Sequence, residues 1–181
     1  MSSPRSRPCP TFAEHEAALR SALVEVAEHS FFAFVSALDR AAFEDLVARL
    51  SAEPGAGEEA DWFVAVVRFA GGFSGEIEVA MPAMLAHTLF SSFLGLSPEA
   101  AAPEVLLRDS TGEFANQVCG TWLTRACGNR RFDLAPPRVE RAGAGWTPTG
   151  APAAGDAEGE ILAAVDDLPV RVRLRLDGEP A

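Results

Sequence analysis

Apolar residues recur at three- and four-residue steps from Thr11 to about Leu38. Leu19, Leu23, Val26, Phe31, Phe34, Val35 and Leu38 then share one side of a helical wheel, so the first element reads as a long amphipathic helix. Its last turns, Ser30-Phe-Phe-Ala-Phe-Val, are too apolar to face water, which assigns the Phe31–Phe34 run to the core. A shorter helical pattern from Ala41 to Leu50 is ended by Glu53-Pro-Gly-Ala-Gly-Glu-Glu, a surface-loop composition. The period then changes to alternation. Trp62–Phe69 is rich in β-formers, Ala70-Gly-Gly72 is a turn, and Phe73–Val79 alternates apolar with small or charged residues, which predicts a hairpin. A helix from Pro82 to Leu94 follows, with proline in its first turn and Gly95 as its stop.

A second long helix starts at Pro103-Glu104 and runs to Cys127, with Gly128-Asn129 as its stop and Gly112 as a point of weakness or kinking. Arg131–Leu134 is a short strand that Pro136-Pro137 keeps from a central position, and the Gly/Ala/Pro-rich stretch Arg141–Gly159 is expected to be a long, flexible loop. Glu160–Val165, the turn Asp166-Asp-Leu-Pro and Val170–Leu176 make a second hairpin. Its final strand sets Val170, Val172, Leu174 and Leu176 inward and Arg171, Arg173 and Arg175 on a wet face.

Long helix then hairpin thus occurs twice. The expected fold is α+β: two pseudo-repeated helix–hairpin halves forming a mainly antiparallel sheet packed against long helices. Superposing the long helices by residue type sets Glu25-Val-Ala-Glu28 against Glu113-Phe-Ala-Asn116. The length of 181 residues suits one domain, 11–177, with disordered tails at 1–10 and 178–181.

The second long helix carries the candidate chemistry. At a helical period Asp109, Glu113, Asn116, Gln117, Gly120 and Thr124 form one stripe, with Phe114, Ala115, Val118 and Trp122 on the opposite side. Glu113 and Asn116 are neighbours on that stripe, and Gly120 a turn later leaves room for another molecule. Two readings are open: the stripe presents a carboxylate and a carboxamide to a partner, or Ser110-Thr-Gly-Glu113 is a capping box and the polar face is merely solvated.

Charge narrows the partners. Fifteen Lys and Arg against 26 Asp and Glu give a net charge of −11, which disfavours nucleic acid and anionic membrane surfaces. No apolar run reaches the ~20 residues of a membrane span, and the basic N-terminal residues precede no apolar segment, so a cytoplasmic location is expected. Cys9, Cys119 and Cys127 lack metal or redox spacing and read as packing residues. His15, His29 and His87 are scattered and read as edge or surface residues. No nucleophile–base set has a local signature, and Trp146 stands out in the long loop as a residue able to pin it to the domain.

On Glu113-Phe-Ala-Asn116 with Gly120 following, the chain resembles the CheC/CheX-type chemotaxis phosphatases, most closely the single-site CheX-like branch. The resemblance extends over the Met81–Leu94 helix, the Phe132-Asp-Leu-Ala-Pro-Pro segment and the closing hairpin, about Trp62 to Leu176. It implies a phosphatase that docks on a phosphorylated CheY-type response regulator. Asn116 would orient the attacking water and Glu113 would pair with the regulator's active-site lysine, with Asp109, Gln117, Gly120 and Thr124 as partner-binding residues. It further implies that this chain binds no cofactor, that Mg²⁺ is held by the regulator, and that two copies pair through a sheet edge. The alternative is a non-catalytic adapter of the same fold, docking through the same helix.

Overall fold

The computed structural model describes residues 11–52, 61–97, 102–128, 130–142, 146, 148 and 158–177. In chain order the elements are α1 (Phe12–Ser30), β1 (Val35–Ala37), α2 (Arg40–Ala52), β2 (Trp62–Gly71), β3 (Ser74–Pro82), α3 (Ala83–Leu94), α4 (Glu104–Cys127), β4 (Phe132–Leu134), β5 (Arg138–Ala142), β6 (Glu158–Val165) and β7 (Leu168–Leu176). The expected tails and most of the expected loop lie outside the described residues. The Glu14 carboxylate accepts the Thr11 backbone N–H at 2.7 Å, fixing the start of α1 and holding that carboxyl below the usual range. Gly95, at φ +64°, stops α3.

The strands form one seven-stranded sheet in the order β1-β6-β7-β3-β2-β4, with β5 also paired to β2, and all pairings are antiparallel. The two hairpins meet at the centre through β3 and β7. Pro169 is tolerated in this central strand because pairing of β7 with β3 begins only at Arg171. Strand β5 was not foreseen: Arg138–Ala142 pairs with β2 from Val66 to Trp62, so the expected loop starts later than Arg141.

The repeat is real, and it is exchanged. Helix α1 packs on β6 and strand β1 pairs with β6, whereas α4, β4 and β5 all join β2, so each long helix covers the hairpin of the other half. The first residues of β2 and β6, Trp62 and Glu158, are 96 positions apart. The same offset carries the buried set of α1 (His15, Leu19, Ala22, Leu23, Val26, Ala27) onto Thr111, Ala115, Val118, Cys119, Trp122 and Leu123, all buried in α4. Burial therefore sets Ala17 and Arg20 against Glu113 and Asn116. The superposition of Glu25 and Glu28 on that pair is corrected, because similar letters on two helices do not fix which turn meets the sheet.

Neighbouring strand residues separate into two cores, as the pleat requires. Phe63, Val79, Met81, Ile161 and Ala163 join the large core under α1, α3 and α4, while Trp62, Ala80 and Leu162 join Phe43 and Val47 of α2 on the opposite face. That opposite face is not simply wet. Arg171 is only 4% exposed, donates to Glu78 at 2.6 Å and lies 5.7 Å from the ring of Trp146, which also meets Trp62. The Trp146 ring thus packs on the sheet, while most of the loop it was expected to pin lies outside the described residues. Burial pushes the Arg171 guanidinium pKa down, and only Arg175 among the three arginines is truly exposed.

Three local expectations are also corrected. Helix α1 ends at Ser30, because Phe34 must offer its backbone to Asp166 and β1 must pair with β6. Phe31 and Ala33 are buried, but Phe32 and Phe34 face outward. Helix α4 runs unbroken through Gly112, whose missing side chain leaves room for Pro137 and Val139; an added Cβ there would lie 3.3 and 3.2 Å from them. His15 is not a surface residue. It is 7% exposed, packed against Phe73 and edge-on to Trp122 at 5.4 Å, with neither ring nitrogen hydrogen-bonded.

Burial lowers the pKa of His15 in the fold, with Glu14 acting weakly in the opposite sense. A group depressed on folding stabilises fully above its unfolded pKa, about 6.5, and loses that contribution as pH falls towards its folded value. The thermal midpoint should therefore fall between about pH 7 and pH 5, and His15→Phe should flatten that part of the profile. Differential scanning calorimetry across that range checks it; an identical slope in both proteins would show that His15 does not set the acid limb.

Candidate functional site

Helix α4 is held at both ends and along its inner side. At its start, Arg108 donates to the Val139 carbonyl at 3.1 Å, and Glu104 accepts from Arg108 and from Arg141, each at 2.8 Å. Those two guanidinium groups hold the Glu104 carboxyl below the usual range. Arg141 also reaches Asp61 at 2.9 Å, tying β5 to the start of β2. On the inner side Phe114 stands edge-on to Phe31 at 5.2 Å and Trp122 edge-on to Phe69 at 5.3 Å. Near its end, Arg125 pairs with Glu25 of α1.

The outer side carries every residue of the predicted stripe. Asp109, Glu113 and Thr124 are exposed, while Asn116, Gln117 and Gly120 are half-buried. The helix begins at Glu104, so Ser110 is interior and Glu113 caps nothing; its Oε1 instead accepts the Gln117 amide N–H at 2.8 Å. That bond restrains the carboxylate rotor. The Asn116 carboxamide makes no hydrogen bond among the described residues, so both its donor and its acceptor are free for another molecule. Gly120 opens onto space, with nothing within 4 Å of the position a Cβ would take. The Thr124 hydroxyl turns back to the Gly120 carbonyl at 2.9 Å.

Gln117, Gly120 and Thr124 also line a groove of about 590 Å³ between α4 and α1, closed by Glu25, Val26, His29, Ser30, Thr121 and Arg125. Asp109, Glu113 and Asn116 lie on the same helix beyond it. The α1 side of this groove was missed from the sequence, because no local pattern marks residues that meet only when two helices pack side by side. Cys119 is buried and its thiol is pushed up to about 12 by that burial, so it is no nucleophile at neutral pH. Cys127 is free as well, and Cys9 lies outside the described residues. What the site offers is an ionisable carboxylate, an unengaged carboxamide and room for a partner's backbone.

The chain is thus an α+β domain with two long helices side by side on an antiparallel sheet, one of them presenting Glu-x-x-Asn outward. Residues 63–145, which include Glu113 and Asn116, match the family model described as chemotaxis phosphatase CheX. No curated protein matches the sequence. Among solved structures, the chemotaxis protein CheX of Vibrio vulnificus is 15% identical with a TM-score of 0.62, over 97% of this chain and 100% of that one. CheX of Desulfovibrio desulfuricans is 16% identical with a TM-score of 0.62, over 91% and 99%. The CheX–CheY–BeF3–Mg²⁺ complex of Borrelia burgdorferi is 13% identical with a TM-score of 0.53, over 93% and 98%. The likeness to these structures is one of fold, and the family match covers residues 63–145 of the chain. No described helix is long and apolar enough to cross a membrane.

The two helical glycines of α4 separate space needed by the fold from space left at the site. Gly120→Ala adds a methyl to open space and should stabilise by about 0.5–1 kcal/mol through helix propensity. Gly112→Ala should gain less or lose stability, because its methyl presses on Pro137 and Val139. Urea unfolding of the two variants checks the order, and a larger gain at Gly112 would contradict the packing described.

Proposed function

We propose that this chain is a phosphatase of phosphorylated CheY-type response regulators, with Asn116 and Glu113 carrying the activity. The observation that carries the reading is the unengaged Asn116 carboxamide on the outer face of α4, one turn from an exposed and restrained Glu113. Hydrolysis of an aspartyl phosphate needs a water held in line with the scissile bond and its charge stabilised; it needs no nucleophile from the catalyst. A carboxamide suits that task, since it accepts from the water through Oδ1 and donates through Nδ2 without changing charge. Glu113 would pair with a cationic group of the regulator, the role implied for its active-site lysine. The Gln117 amide would hold the carboxylate in the rotamer that reaches outward.

The family match supports the reading, and one structural neighbour was solved as a complex with CheY, BeF3 and Mg²⁺. In this proposal the Mg²⁺ belongs to the regulator. One active surface is expected: the positions equivalent to Glu113 and Asn116 are Ala17 and Arg20, and Arg20 is paired with Glu16 at 2.8 Å. Asp109, Gln117, Gly120 and Thr124 would complete the contact surface around the pair. Dimerisation through a sheet edge belongs to the same reading, and the short β1 and the β4–β5 pair are the free edges.

Phosphate release from Mg²⁺-loaded, phosphorylated CheY-type regulators of the same organism should accelerate in the presence of this protein. Asn116→Ala should remove at least about 100-fold of that acceleration while leaving binding in place. Glu113→Ala should instead weaken binding. Binding without acceleration by the wild type would establish the adapter reading in its stead.

A further inference from the structure

The turn between α1 and β1 does something the fold does not need. Across Phe31–Phe34 the chain alternates in burial: Phe31 and Ala33 plug the core, while Phe32 and Phe34 are 73% and 79% exposed. The backbone here is fixed. Phe31 and Ala33 both donate to the Ala27 carbonyl at 3.2 and 3.0 Å, and Phe34 exchanges two hydrogen bonds with Asp166, at 2.8 Å to its carboxylate and 2.9 Å from its backbone N–H. Phe32 has φ +57°, in the left-handed region where a bulky side chain is an outlier. The repeat supplies an internal control, because the residue 96 positions on is Gly128, at φ +60°. After α4 glycine takes the positive φ without strain. After α1 phenylalanine takes a positive φ at the equivalent position with strain and then holds its ring in water, an arrangement that folding alone disfavours on both counts.

The place of the turn says what the rings meet. Phe31 stands edge-on to Phe114, the neighbour of Glu113, and Ser30 and His29 share a groove with Gln117 and Gly120, so the turn adjoins the Glu113–Asn116 stripe. Phe93, 5.4 Å from the Phe31 ring, and Leu94 are about half exposed and continue the apolar surface across the end of α3. The surround is acidic, with Glu28 in the last turn of α1, Asp166 and Asp167 at the β6–β7 turn, and Glu113, all exposed. We infer that Phe32 and Phe34 are a pre-formed aromatic anchor for the same response regulator whose aspartyl phosphate Asn116 serves. They would bind an apolar face of the regulator flanked by lysine or arginine. This inference rests on the phosphatase reading, and it separates affinity, set at the turn, from chemistry, set on α4.

Phe32→Gly with Phe34→Ser tests it, since glycine adopts a positive φ without strain, as Gly128 does at the equivalent position; the folded protein should be retained with an unchanged or higher thermal midpoint. Fluorescence titration against the BeF3–Mg²⁺-loaded regulator should show a dissociation constant raised about 30-fold or more, the weakening that truncation of aromatic hot spots leaves. The rate of phosphate release at saturating regulator should stay at the wild-type value. Leu134→Ser, at the other sheet edge, should change neither. Equal binding by wild type and the double variant overturns the anchor alone and leaves the phosphatase reading intact. A change from dimer to monomer with regulator binding unaltered also overturns it, assigning the rings to self-association. If wild-type protein binds no activated regulator, the phosphatase reading falls and takes the anchor with it.

Discussion

The burial of the inner side of α4 against α1 and β2 is the constraint on which the rest of the molecule depends. Phe114, Val118, Cys119 and Trp122 are fully buried there, and truncating either aromatic would cost about 3–5 kcal/mol, a large part of the stability of an ordinary domain. Because that side is committed, the opposite side cannot rotate away from solvent. The stripe from Asp109 to Thr124 is exposed by the same packing that holds the domain together. In the proposed function, a carboxylate and a carboxamide on a rigid helix would lose little freedom when a partner arrives, less than the same groups on a loop.

The exchange of helices between the halves adds a second constraint. Helix α1 covers β6 and α4 covers β2, so neither half can fold on its own hairpin, and the central β3–β7 pairing is enclosed by contacts from both. The two halves share a backbone plan but not a surface. Where α4 carries Glu113 and Asn116, α1 carries Ala17 and Arg20; where α4 ends on Gly128, α1 ends on a pair of outward phenylalanines. The two equivalent positions therefore present different chemistry, a polar pair on α4 and exposed aromatic rings after α1.

The opposite face of the sheet has a different logic. A small core of Phe43, Val47, Trp62, Ala80 and Leu162 lies under α2, and beside it carboxylates of β3 and β6 alternate with the arginines of β7. Two of those ion pairs join residues directly opposite in register, Glu76 with Arg175 and Glu160 with Arg173, while Glu78 reaches diagonally to Arg171, and they specify strand alignment more than they stabilise it. The Trp146 ring roofs Arg171, the innermost arginine.

The sequence by itself determined the elements and the polar stripe. Hydrophobic periodicity marks α4 almost to the residue, because a helix buried on one side must repeat its apolar positions every turn, and the same rule exposes Glu113, Asn116 and Gly120. Both hairpins were legible for the corresponding reason, alternation across a pleat. The tertiary structure alone decided the remaining features. Strand β5 carries no apolar signal of its own and exists because β2 offers it an edge. His15 and Arg171 are buried by elements far away in sequence, so no local pattern could reveal them. Register between the halves was set by which turns touch the sheet, which displaced Glu25 and Glu28 from the equivalence that similarity of residue types suggested. The Phe31–Phe34 run shows the limit most clearly: composition places four adjacent residues in the core, but a chain that must leave a helix and enter a strand within four residues can turn only two of them inward.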